Sequence, residues 1–287
     1  MKPLFNNVTI IGVGLIGGSL ARVMKLKGLA GSITGAGRNR STLETAIRIG
    51  VIDRMGQSSA HAVEDADLVV LASPVGTFTQ IVREIGPHLK PGAILTDVGS
   101  VKGKLIKDIE ESIAPGVHYV PAHPIAGREK SGVAESTETL FQGRRCILTP
   151  TASTDKKALE AVRELWAAAG ADVVIMDADL HDKVFAAVSH LPHVAAFAMM
   201  CAVEELNTGT EDYLQFSGAG FRDFTRIAAS SPEMWKDICL MNREHLIKMI
   251  DRYIFSLNRF KREIIAGDEP RLEKHLRAAS DVRKRLG

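Results

Sequence analysis

Hydrophobic positions along this chain follow two different periods. Through the first half, short runs rich in Val and Ile alternate with segments of helical spacing, which predicts strands joined by helices. Val8-Thr9-Ile10-Ile11 is the first run, and residues 19–27 follow it with the pattern of a helix. A second strand is expected at 32–36 and a helix from Ser41. Buried strands are expected at 67–72, ending at Ser73-Pro74, and at 93–97, ending at Asp97-Val98-Gly99-Ser100. Short runs at 118–120 and 145–148 are expected to extend the same sheet. Strands spaced by helices imply a parallel sheet with right-handed crossovers, a doubly wound α/β fold.

Past Asp155 the period changes. Residues 156–169 read as a helix and 172–176 as a last strand. Beyond about residue 179 only helical spacing is left, at 180–206, 211–230, 232–265 and 270–286, broken at Gly209, Gly218, Gly220, Gly267 and Pro270. The expected organisation is an α/β domain over residues 1–178 and an all-α domain over 179–287. The most apolar stretch, 184–203, contains Ser189, His190, Pro192 and His193, so it reads as a buried core helix rather than a membrane span. Trp235, Ile238, Leu246, Met249 and Tyr253 recur at helical spacing and read as core or subunit seam. The charged tail at 259–287 reads as a solvated helix pair.

Composition narrows the class. The 287 residues are 45% hydrophobic and 24% charged, ordinary values for a soluble chain of about two domains. A formal net charge of +2 argues against a dedicated nucleic-acid binder. Cys146, Cys201 and Cys239 are widely spaced, with no CxxC pair, which fits a reducing compartment and gives no zinc framework. A strand begins within a few residues of the start, so no signal peptide and a cytoplasmic location are expected.

The first chemical signal is Gly12-x-Gly14-x-x-Gly17 between a strand and a helix. Gly12 permits a tight turn, Gly14 lets backbone approach a pyrophosphate, and Gly17 lets the helix pack on the strand. The anion then sits at the helix N-terminus, in the turn that holds Leu15 and Ile16. Ser73 and Pro74, at a neighbouring strand end, complete the expected cofactor set. This is the Rossmann dinucleotide fingerprint; the bland alternative is a glycine turn without a ligand. A carboxylate after the second strand would select NAD by binding the ribose 2′-hydroxyl. Here that position is Gly37, followed by Arg38, Asn39, Arg40 and Ser41. Room plus guanidinium groups favours NADP over NAD. The opposing reading has Arg38 and Arg40 solvating a loop.

Three further segments carry candidate chemistry. In Thr96-Asp97-Val98-Gly99-Ser100-Val101-Lys102, Ser100 either meets substrate or caps a helix from Val101, and Lys102 reads as a surface or phosphate-contacting residue. His123-Pro124-Ile125-Ala126-Gly127 places an imidazole between a strand and a glycine-rich loop, where a base is well carried. In the helical half, His190 and His193 share a face if the helix runs through Pro192, with no obvious third ligand for a metal. Arg222 and Arg226, four apart, suit either a carboxylate clamp or ion pairs with Asp223 or Glu211.

Taken together, these motifs resemble the prephenate/arogenate dehydrogenases of tyrosine biosynthesis over nearly the whole chain. The resemblance rests on Gly12 to Ser19, Thr96 to Lys102, His123 to Gly127, Ser189 to His193 and Phe221 to Arg226. It implies a Rossmann domain followed by a helical dimerisation domain, and a homodimer. It also implies NAD(P)-dependent oxidative decarboxylation with His123 as the catalytic histidine and Ser100 assisting at the substrate hydroxyl. Arg226 would grip a substrate carboxylate, with His193 and Glu129 lining the site. Arg128 stands where threonine is usual and bears on selectivity between prephenate and arogenate. The rivals are a β-hydroxyacid dehydrogenase, a pyrroline carboxylate reductase or a non-catalytic NADP-sensing protein. The two enzyme rivals do not account for His123 with its Pro-Ile-Ala-Gly flank, and His123, Ser100 and Arg226 together argue against the non-catalytic reading.

Overall fold

The computed structural model describes residues 2–128, 130–207 and 212–286. Its first eleven regular elements are β1 (Phe5–Ile11), α1 (Leu15–Leu26), β2 (Ala30–Ala36), α2 (Arg40–Arg48), β3 (Arg54–Met55), α3 (Ser59–Val63), β4 (Leu68–Leu71), α4 (Phe78–Ile85), β5 (Ile94–Asp97), α5 (Gly103–Glu110) and β6 (His118–Val120). The six strands pair in the order β3-β2-β1-β4-β5-β6, and every pairing is parallel. Alternate strand residues point to opposite faces, and the core divides accordingly. Ile10, Leu68 and Val70 pack into one buried cluster, whereas Ile11, Val69 and Leu71 pack into the other. With helices over both faces, β4 is buried along its whole length. Strand order reverses between β1 and β4, and the crevice at their carboxyl ends is where such sheets bind ligands.

The run at 145–148 does not extend this sheet, contrary to expectation. It forms a separate three-stranded sheet, built from β7 (Ala122–Pro124), β8 (Arg145–Leu148) and, after α6 (Lys156–Ala168), β9 (Asp172–Ile175). Pro121 is the cause. It has no N–H to give a ladder, so the chain leaves the first sheet after Val120, and the Pro121 carbonyl instead accepts the Thr149 amide at 3.1 Å. β7 then pairs antiparallel with β8, setting His123 opposite Ile147.

Helices follow. Between α7 (Ala178–Phe185) and α8 (Leu191–Glu204), residues Ala186–His190 form a π turn. Pro192 explains it. A proline inside a helix lacks a donor and crowds the carbonyl four residues back, and a wider turn relieves both. The span Ala178–Glu204 is long and apolar enough to cross a membrane by length and composition, yet only 22% of its apolar window is buried. The buried-core expectation therefore fails. One face holds the buried His181, Asp182, Phe185, Ala186 and His190, while Val188 stays 66% exposed. Apolar composition measures what a helix could bury, not which sides are covered.

The helix expected from Glu211 begins outside the described residues; beyond them come a tight turn at Tyr213–Phe216 and α9 (Ala219–Thr225). The helix expected at 232–265 is two. α10 (Pro232–Met241) is capped by Ser231 and ends at Asn242, whose side chain bonds elsewhere. The chain forms two compact units, one up to Asn242 and one from Arg243 onward. The second contains α11 (Arg243–Ala266) and α12 (Glu269–Lys284), turned at Gly267 (φ +60°) and tied by His275 Nδ1 and Glu263 Oε1 at 2.7 Å.

Candidate active site

Two cavities open at the carboxyl edge of the main sheet. The first, about 540 Å³, is lined by Gly12, Gly14, Gly37, Arg38, Ser73 and Pro74, among others. Gly12 has φ +99°, and a Cβ there would strike the Ala72–Ser73 backbone at 2.4–2.6 Å. A Cβ on Gly17 would meet the Gly12 carbonyl at 2.5 Å, whereas nothing lies within 4 Å of one built on Gly14. The turn is thus packed behind and open in front. α1 begins there with no side-chain cap and no acidic residue in its first turn. Uncapped N–H groups beside an open glycine make a cradle suited to a pyrophosphate. Leu15, Ile16 and Gly17 contribute as that first turn and do not line the cavity. Arg40 and Ser41 are not brought to it: Arg40 pairs with Glu44 at 3.0 Å, and Ser41 donates to Asn39, the α2 cap.

The second cavity, about 710 Å³, gathers Ser100, His123, Arg128 and His193 with Arg144 and Trp235. Ser100 does not cap α5, which starts at Gly103; the amides of Lys102 and Gly103 donate instead to Asp182, both at 2.8 Å. His193 donates from Nδ1 to the Ser189 carbonyl at 2.9 Å and stacks on Trp235 with ring centroids 3.8 Å apart. The π turn sends His190 deeper than His193, yet both rings still meet Trp235, with centroids 6.0 and 3.8 Å from its own. His190 is buried, accepts the Asn242 amide on Nδ1 at 3.1 Å, and faces the Ser100 carbonyl without completing a bond to it.

Behind His123 runs a chain of hydrogen bonds. His123 Nδ1 and His181 Nε2 are 2.8 Å apart, and His181 Nδ1 and Asp182 Oδ1 are also 2.8 Å apart. The carboxylate accepts only, so His181 must carry its proton on Nδ1 and present a lone pair at Nε2. His123 must therefore donate from Nδ1, which leaves its Nε2 lone pair free.

Electrostatics agree. His123 is held well below the ordinary histidine pKa by burial first, then by the charges of His181, Lys102 and His190. Burial also lowers His181, against the pull of Asp182, and brings His190 to about 4. Burial pushes Asp182 up, but bonds from His181 and the Gly103 and Lys102 amides outweigh it and hold the carboxyl low. His193 is lowered by burial, with Arg226 adding to the effect. Neutral imidazoles at neutral pH are what a proton acceptor needs.

Arg226 does not line the cavity, although it is close enough to act on His193, and Glu129 lies outside the described residues. Sequence reasoning missed His181, Asp182 and Arg144. The visible signal was an adjacent His-Asp at the start of an apolar run. Lys102 was misjudged: it is fully buried, with Nζ 2.5 Å from Asp97 Oδ1. Long cationic side chains are almost never buried unless paired, and the partner cannot be seen in sequence.

Comparison with known proteins identifies the family. The family model for "Prephenate dehydrogenase, nucleotide-binding domain" matches residues 20–175, and that for "Prephenate dehydrogenase, dimerization domain" matches 177–278. The chain is 32% identical over 287 residues to a prephenate dehydrogenase of Bacillus subtilis, covering 100% of this chain and 77% of that one. It is 33% identical to a cyclohexadienyl dehydrogenase of Zymomonas mobilis, over 99% and 97% of the two chains. Among solved structures, prephenate dehydrogenase from A. aeolicus, in complex with hydroxyphenyl propionate and NAD+, superposes with a TM-score of 0.93 at 42% identity, covering 98% of each chain.

Proposed function

Because the chain belongs to the prephenate dehydrogenase family, we propose that His123 is the base of its reaction and that His181 and Asp182 fix its tautomer. The activity is NAD(P)-dependent oxidation of prephenate, or of its amino counterpart arogenate, with loss of carbon dioxide, in tyrosine biosynthesis. What a bound nicotinamide supplies is the acceptor for hydride from the hydroxyl-bearing ring carbon. The remaining work falls to this chain. Neutral His123 takes the hydroxyl proton on Nε2, and Ser100, on the same cavity wall, orients that hydroxyl. The ring carboxylate leaves as carbon dioxide, its bonding electrons complete the aromatic ring, and the proton on His123 returns to the phenol oxygen. A positioned base of this kind contributes about 10²–10⁴-fold.

Two features bear on the substrate. Arg128 and Arg144 line the cavity beside His123, and cationic side chains suit the keto diacid better than its amino counterpart. Arg226, which acts on His193 from outside the lining, is assigned a substrate carboxylate on the strength of the family resemblance. Glu129 keeps its assignment to the site lining on the same ground.

The glycine cradle fits a dinucleotide, and NADP is the reading favoured over NAD. Gly37 leaves the end of β2 open and Arg38 lines the cavity, while the carboxylate that lines it, Glu84, comes from α4. NAD in the A. aeolicus complex is the opposing observation. A homodimer through the helical half is supported by the dimerisation-domain match and by apolar side chains exposed on α11, among them Phe255, Ile264 and Ile265 at 63–75%. The division at residue 178/179 is kept as the functional domain boundary. Free Cys146, Cys201 and Cys239 are consistent with a cytoplasmic setting.

The observation that carries the reading is the His123–His181–Asp182 chain at the cavity. His123→Asn is expected to lower kcat by about a hundredfold or more, with KM little changed. Turnover within a few-fold of the parent would remove the base from this residue.

A further inference from the structure

The turn between β5 and α5 buries two charged side chains that the reaction as described does not use. Asp97 and Lys102 are fully buried, and they form the 2.5 Å pair already noted. Taking two charges out of water costs about as much as their attraction returns, so stability alone is a weak reason for such a pair.

Its connections supply a better one. Asp97 Oδ1 also accepts the Gly99 amide at 2.6 Å, and Oδ2 accepts the Tyr119 hydroxyl at 2.7 Å and the Ala122 amide at 3.4 Å. Gly99 immediately precedes Ser100, and Ala122 immediately precedes His123. One carboxylate thus holds the backbone next to both reacting side chains. Lys102 closes the circuit, because its own amide donates to Asp182 Oδ1, the atom that receives His181 Nδ1. Lys102 joins the carboxylate that holds the backbone beside Ser100 and His123 to the carboxylate that sets the tautomers of His181 and His123.

We propose that Lys102 is a positioning residue for the reaction: clamped on Asp97, it fixes the Ser100 turn against the His123 strand and sets its ammonium group behind the His123–His181 pair. This rests on His123 being the base. Burial does most to keep His123 and His181 neutral, and the Lys102 ammonium adds to it, opposing the pull of Asp182 on His181. Around His123 the other titratable or charged groups are His181 and Asp182 from α7, His190 from the π turn, and His193 from α8. Asp97 on β5, which pulls His181 upward, Tyr119 on β6, Cys146 on β8, and Arg128 and Arg144 on the cavity rim are the others among the described residues. Lys102 itself is sealed from solvent, so it contacts no substrate.

The test compares Lys102→Met, the double variant Asp97→Asn/Lys102→Met and His123→Asn with the parent. Lys102→Met leaves a buried carboxylate unpaired and is expected to melt lower. The double variant has no unpaired charge and is expected to melt close to the parent. Both should lose kcat about tenfold or more, on the scale of a misplaced base. KM for prephenate should stay within about threefold, since no substrate contact is removed. In Lys102→Met the acid limb of the kcat/KM–pH profile should move to higher pH by about half a unit or more, because a lost cation beside a retained Asp97 lets His123 protonate more readily; the double variant loses both charges, so its acid limb should move less. A folded double variant with parental kcat, or a Lys102→Met variant with an unmoved acid limb, overturns the proposal. Failure of both variants to fold overturns it too, since the pair would then be purely structural. If His123→Asn itself turns over like the parent, the fault lies with the base assignment and not with Lys102.

Discussion

Replacing Asp182 with Asn tests the proton chain while barely changing its shape. Oδ1 now accepts from His181 Nδ1 and the Lys102 amide, and Oδ2 accepts from the Gly103 amide. An asparagine must turn its NH2 toward one of those sides. Facing Gly103, it sets two donors against each other at 2.8 Å. Facing His181, it forces that ring to accept on Nδ1 and donate from Nε2. His123 must then accept on Nδ1 and carry its proton on Nε2, where the substrate hydroxyl needs a lone pair. Losing a hydrogen bond to a charged group costs about 1.5–3 kcal/mol. At about 1.4 kcal/mol per factor of ten, the correct tautomer falls roughly ten- to hundredfold. The carboxylate that would stabilise a protonated His181–His123 pair is lost as well, so kcat should fall about 10²–10³-fold. Stability should drop by about 1–3 kcal/mol for the mismatched buried donor. The assay is absorbance at 340 nm under saturating prephenate and cofactor, with a urea melt alongside. A folded variant keeping more than about a third of the parental kcat would refute the tautomer argument.

Other expectations follow from the same geometry. Arg38→Asp should shift the ratio of kcat/KM for NADP over NAD toward NAD by at least about tenfold; a ratio that does not move would sink the 2′-phosphate reading. Arg144→Ala should raise KM for prephenate about tenfold with kcat little changed, as loss of a contact made throughout the reaction; unchanged KM would put Arg144 outside the substrate site. Acid should destabilise the fold, because His123, His181, His190 and His193 all lie below the ordinary histidine value, so the unfolded chain binds more protons. That stability is present above about pH 6.5 and is lost as pH falls below it. For His190, lowered to about 4, the loss at pH 5 is about 2 kcal/mol. Urea midpoints at pH 7.5 and pH 5 that coincide would contradict this.

Local rules were enough for much of the molecule. The alternation of Ile10 and Ile11, or of Val69 and Val70, is a period-2 pattern that commits a strand to two buried faces wherever it pairs. The glycine turn was equally legible, because the positive φ of Gly12 and the contact of Gly17 with the Gly12 carbonyl are set within a few residues, although the Ala72–Ser73 backbone that closes on Gly12 comes from a distant strand end. Ser100 could be named because it follows a strand end beside Gly99, and His123 because a short strand run leads through it into the loop of Gly127. Long-range pairing decided the rest. Pro121 ended one sheet, but that the strand carrying His123 would pair with 145–148 depended on a segment more than twenty residues away. His181 and Asp182 became a proton chain, and Lys102 a buried cation, only because α7 packs its polar pair against the β5–α5 turn, about eighty residues back in sequence. Periodicity reports which residues can leave water. Which charges meet once they have left it is fixed by the packing of distant elements, and the chemistry of this site is made of those meetings.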